Sequence, residues 1–172
     1  MSIRLASIIT HYRKLKNANP DLWVQHCINQ NTIKNAIYFA ALSENQFGKR
    51  HKHQYRLESK NMIIFKDRLL ANHKIIQRAI NFDNLLQIIA AQRIHGIGDL
   101  AIYDTAIRIG AFLGLSPQVI YLHAGTKIGA KKLLNRNLGN QINKNDLPPA
   151  LANSNLNCYE LEDLLCIYKD KF

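Results

Sequence analysis

From Leu100 to Leu113 the chain reads LAIYDTAIRIGAFL, and no other stretch restricts the fold as much. At about 100° per residue, Leu100, Tyr103, Ile107 and Ala111 fall on one side of a helix, and Ile102, Ala106, Ile109 and Leu113 on the other. A helix apolar on both sides must be surrounded, so it stands at the centre of a helical assembly. Asp104, Thr105 and Arg108 share the one narrow polar sector that remains, and must be paired there or line a cleft. Asp104 and Arg108 are spaced i,i+4 with the acid first, the favourable order for an intrahelical ion pair. The same two residues beside a histidine would instead make a candidate acid–base site. Gly110 and Gly114, four apart, permit a close neighbour.

The remaining pattern is helical almost throughout. Leu5, Ile8, Ile9, Tyr12 and Leu15 form one stripe. Asn19 as N-cap with Pro20 as first residue starts a short helix carrying Trp23 and Cys27, and Asn31 or Thr32 caps another through Ile33, Ile37 and Ala41. Ser59 caps a helix through Met62, Phe65 and Leu69, a bend falls at Asn72-His73, and Asp83 caps DNLLQIIAAQ. Ser116-Pro117 is read as starting SPQVIYLHA and Thr126 as capping TKIGAKKLL. Residues 135–157, rich in asparagine, read as a surface loop before a C-terminal helix, CYELEDLLCIYK. The fold class is therefore all-α, with about nine helices in a compact domain spanning 1–172, divisible into a basic lobe 1–82 and a second lobe 83–172.

The 172 residues carry a formal charge of +11, unevenly spread. Residues 1–80 hold 14 Lys and Arg against 4 Asp and Glu, whereas residues 146–172 hold 2 against 5. The densest positive segment is FGKRHKHQYRLESK, residues 47–60, with Lys49, Arg50, Lys52 and Arg56. A basic body favours a polyanionic partner, because each neutralised phosphate releases counterions. No apolar run approaches the roughly 20 residues of a membrane span, and the first residues lack a signal-peptide pattern, so the expectation is a cytoplasmic protein without a membrane partner. Cys27, Cys158 and Cys166 form no CxxC pair and read as reduced, mostly buried thiols. No metal ligands and no cofactor are assigned from sequence.

The central helix is preceded by IHGIGDLA, residues 94–101. Gly96 and Gly98 allow positive φ and close backbone approach, and the amides of Ile97, Gly98 and the following residues would lie at a helix N-terminus that favours an anion. Ile94, Gly96, Ile97, Gly98 and Ala101 resemble the hairpin of helix-hairpin-helix DNA-binding proteins. That resemblance covers about 20 residues and implies phosphate contact by the hairpin, with DNA ranked ahead of RNA. Asp104-Thr105 with Arg108 also resembles the Asp-Thr segment of helix-hairpin-helix DNA glycosylases, implying a glycosylase-like hydrolase. Two departures stand against it: that family's catalytic aspartate lies much farther past the hairpin, and Asp99 and Leu100 occupy the place of its lysine nucleophile.

A second polar group lies in YLHAGTKIGAKKL. Thr126, Lys127 and Lys131 at a helix start could take another phosphate, and His123 could assist Asp104 as acid or base. YLHAGT with EDLLCIYKD is similar to a bacterial protein family without an assigned activity, and implies none. Three function classes follow: a nucleic-acid-binding protein with or without glycosylase-like processing, a small-molecule enzyme or binder for a phosphate-bearing ligand, and a helical protein-interaction module.

Overall fold

A computed structural model describes residues 2–172. Its described residues contain ten α-helices: α1 Ser2–Ala18, α2 Leu22–Ile28, α3 Ile33–Leu42, α4 Ser59–Ala71, α5 His73–Gln77, α6 Phe82–Ala90, α7 Asp99–Leu113, α8 Ala124–Leu134, α9 Pro149–Ala152 and α10 Cys158–Ile167. The strands among them are β1 Ile120–Tyr121 and β2 Gln141–Ile142, an antiparallel pair in the register Ile120 to Ile142. The all-α class is correct. None of the described helices is long and apolar enough to cross a membrane.

The chain divides into two compact units. One runs Asp21–Ser116; the other joins residues 2–20 to residues 117–172. Positions 82 and 83 lie at the start of α6, inside the first of them.

In the Asp21–Ser116 unit, α7 packs against α2, α3 and α6. Ile102, Tyr103, Ala106, Ile107 and Ile109 are all buried, as the two-sided apolar pattern requires. The capping residues differ from expectation in three places. Asp21, not Asn19, caps α2, its carboxylate accepting from the amides of Trp23 and Val24, because Pro20 stays outside the helix. Asn81 caps α6 through the Asn84 amide and leaves Asp83 in the first turn, where its charge suits the dipole. Ser59 is the first residue of α4 rather than its cap. Thr32 caps α3 as expected.

The other unit buries Leu5, Ile8, Ile9 and Tyr12 of α1 in one core with Ile120, Leu122, Leu151, Leu161, Leu164 and Leu165. Here SPQVIYLHA is not a helix: Ile120 and Tyr121, β-branched and aromatic, pair with β2 instead. The 135–157 segment is correspondingly more structured than a loop, since it supplies β2, a 3-10 turn at Lys144–Asp146 and α9. Asn157 and Glu160 form a reciprocal capping box at the start of α10.

Cys27, on α2, has no solvent exposure, and its Sγ lies 3.9 Å from the Ala36 carbonyl. Burial pushes its thiol up to about 12, with the Arg108 charge pulling the other way and Asp21 adding to the rise. Thiolate is the reactive form, so iodoacetamide at pH 8 should leave Cys27 unmodified in the folded chain and alkylate it after denaturation. Peptide mass mapping reads the difference; equal labelling in both states would refute the burial.

Candidate functional site

The polar strip of α7 meets the loop between α3 and α4. Arg108 is 3% exposed, and its guanidinium donates to Ser43 Oγ at 3.0 Å and to the Ala40 carbonyl and Gln54 Oε1 at 3.4 Å each. Ala40 and Ser43 stand at the C-terminus of α3, where helix carbonyls lack partners and a cation is favoured. Ser43 itself takes the left-handed conformation, φ 56°, that ends the helix.

Asp104 lies one turn earlier on α7. Its Oδ2 accepts from Gln54 Nε2 at 2.7 Å and His53 Nδ1 at 3.0 Å, with the Arg108 guanidinium at 3.8 Å. Burial pushes the Asp104 carboxyl up, but the His53 hydrogen bond, the Arg108 charge and the Gln54 amide together outweigh it and hold the group below its ordinary value. Asp104 is therefore ionised at neutral pH, and His53 donates Nδ1–H to it. Gln54, 1% exposed, joins the two charges by donating to Asp104 and accepting from Arg108.

His51 completes the group. Its ring lies edge-on to His53, with centroids 4.5 Å apart, and edge-on to Trp23 at 4.7 Å. Its Nδ1 accepts the His53 backbone N–H at 3.3 Å. Burial, then the Arg108 and His53 charges, lower His51 to about 4, so it is neutral at pH 7.

Local backbone contacts hold this loop in place. Asn45 Oδ1 accepts from the amides of Phe47 and Lys49, Gly48 turns the chain at φ 67°, and Trp23 Nε1 donates to the Lys49 carbonyl at 2.9 Å. Arg50, half-buried, donates to the Leu57 carbonyl and Ser59 Oγ. Lys49, Lys52 and Arg56 are exposed, and so are two aromatic rings, Phe47 at 68% and Tyr55 at 65%.

The turn before α7 contains both glycines, but in different roles. Gly96 has φ 84°, a backbone conformation that requires glycine, and a Cβ there would lie 2.5 Å from Asn61 Nδ2 of α4, the end of a side chain that can turn aside. Gly98 is the N-cap of α7 at φ −87°, an ordinary conformation rather than a positive φ, and nothing lies within 4 Å of its absent side chain. Ile97 is buried and anchors the turn. Asp99 lies in the first turn of α7 and pairs with Arg93 across the turn, which offsets its charge.

The structure thus joins Asp104 and Arg108, and adds His51, His53 and Gln54 to them. In the sequence His51 and His53 stand out only as members of the basic 47–60 segment, and Gln54 does not stand out. The His-x-His-Gln spacing was the available signal, but its pairing with a residue 51 positions later left no trace.

The residues of the second polar group belong to the unit of residues 2–20 and 117–172. Thr126 does not cap α8, whose N-cap is His123; it lies inside the helix, 3% exposed, and donates to the Glu162 carbonyl of α10 at 3.3 Å. Lys127 reaches Asn140 Oδ1 at 3.5 Å, Lys131 is exposed, and the half-buried His123 stacks on Tyr121. No family model, curated protein or solved structure matches the chain.

Proposed function

We propose that this chain binds nucleic acid, with DNA as the first candidate, through the 47–60 loop and the neighbouring 94–98 turn. The observation that carries the reading is the loop's surface: Phe47 and Tyr55 stand out beside Lys49, Lys52 and Arg56 on a backbone fixed by Asn45, Trp23 and Arg50. Exposed rings stack on unpaired bases and exposed cations follow the phosphates, a combination that suits single strands. The first turn of α4 links loop and hairpin, since Ser59 receives Arg50 while Asn61 covers Gly96. Because the Asp104 carboxylate is engaged by Arg108, Gln54 and His53, the proposal is binding rather than glycosidic cleavage.

Fluorescence anisotropy with a labelled single-stranded oligonucleotide and its duplex tests this. Three phosphate contacts on a single strand give a slope of about −2 in log affinity against log salt. Lys52→Glu with Arg56→Glu should remove most of that slope, and Tyr55→Ala should weaken single-strand binding by about 1–3 kcal/mol. Binding that ignores salt, or no binding to either strand form, refutes the proposal. Equal affinity for a mononucleotide would favour the small-ligand class instead.

A further inference from the structure

We propose that His51, His53 and Asp104 form a site for one divalent transition-metal ion of the zinc, cobalt and nickel class. One ligand atom from each of the three lies within 4.8 Å of the others. His53 Nδ1 and Asp104 Oδ2 are 3.0 Å apart, a separation that two atoms each about 2.0–2.1 Å from a common ion can have. To close the set His51 must offer either Nδ1, giving up the His53 backbone N–H, or Nε2, with its proton moved to Nδ1. Binding replaces the proton between Nδ1 and Oδ2 with the ion; in the neutral ring that proton passes to Nε2, which leaves the Nδ1 lone pair for the ion.

The donor chemistry selects the metal. Two imidazoles and one carboxylate suit zinc, cobalt or nickel, with iron(II) and copper(II) in the same first-row group, whereas calcium and magnesium require oxygen-rich shells. The ligands are also well supported: the two histidines flank Lys52 at the start of a 3-10 turn, and Asp104 projects from the buried α7. Gln54 and Arg108 hold the carboxylate in the manner of outer-shell partners that orient metal ligands.

Arg108 has a second consequence. Its charge offsets that of Asp104, so a bound ion keeps nearly its full positive charge. Affinity should then be lower than the same three ligands would give without the arginine, and anions should be drawn to the coordination positions the protein leaves open. The His53 side chain is 42% exposed, which puts one ligand of the site in contact with solvent. This inference stands apart from nucleic-acid binding and can succeed or fail independently of it.

The test is a cobalt(II) titration of the full chain after chelator dialysis, followed by visible d–d absorption, with zinc(II) as competitor. Expected are saturation at one equivalent, displacement of cobalt by zinc, and a change in the spectrum on adding inorganic phosphate. His53→Ala, at an exposed position, should keep the helical circular dichroism of the native chain and lose at least about tenfold in affinity; His51→Ala should lose a similar factor. Absence of a saturable spectrum, or titrations unchanged in both variants, overturns the site.

Discussion

Replacing Arg108 with methionine is expected to destabilise the Asp21–Ser116 unit by about 3–5 kcal/mol, measured by urea denaturation. The side chain is 3% exposed, so its methylenes are replaced well enough by methionine, and the loss is electrostatic. Asp104 keeps its charge without the guanidinium beside it, while the Ser43 hydroxyl loses its donor and the Ala40 carbonyl is left with the Ser43 amide alone. Adding Asp104→Asn removes the uncompensated charge and should recover part of the deficit, a coupling that a double-mutant cycle reads directly. The pH dependence has a definite sign. Because the folded Asp104 carboxyl lies below its ordinary value, its stabilisation is complete above that value and is lost as pH falls through the lowered one. Wild type should therefore lose stability more steeply below about pH 4 than Arg108→Met does. A loss under about 1 kcal/mol would mean that the network contributes little to folding.

Gly129→Ala should be comparably costly in the other unit. A Cβ at Gly129 would fall on the Leu165 carbonyl oxygen and lie 3.0 Å from its carbon and 3.3 Å from Lys169 Cα. These are backbone atoms of α10 and the residues just after it, so no rotamer change relieves the clash. Helix α8 must shift, at a cost of about 3 kcal/mol set against roughly 1 kcal/mol of gained helix propensity. Gly125, one turn earlier, meets the Cys166 side chain at 2.5 Å instead. That thiol can rotate, so Gly125→Ala should cost clearly less. Paired thermal melts decide the matter, and equal losses would show that the helix approach is not the limiting contact.

The sequence made some of this legible and concealed the rest for physical reasons. Two-sided apolarity marked α7 as buried, and i,i+4 spacing paired Asp104 with Arg108, because both signals are local to one helix. The partners of that pair are not local: Ser43, His53 and Gln54 lie fifty or more residues away. Periodicity also misled where it was weak. Ser116-Pro117 looked like a helix start, yet the residues after it form β1, because Ile120 gains an antiparallel partner in Ile142 that no short window contains. The two glycines of the 94–98 turn, alike in the sequence, differ in the structure: Asn61 lies over Gly96, while open space lies beside Gly98.

The unit made from both ends of the chain also sets a timetable for synthesis. The buried partners of α1 lie far downstream: the Tyr12 hydroxyl donates to Asp163, and His11 meets the Tyr168 hydroxyl. Residues 21–116 can complete their own core while translation continues, but the apolar stripe Leu5, Ile8, Ile9 and Tyr12 must wait for α10. At about 5–20 residues per second, some 150 residues correspond to roughly 8–30 s of exposure. During that interval α1 is the part of the nascent chain that a chaperone would hold.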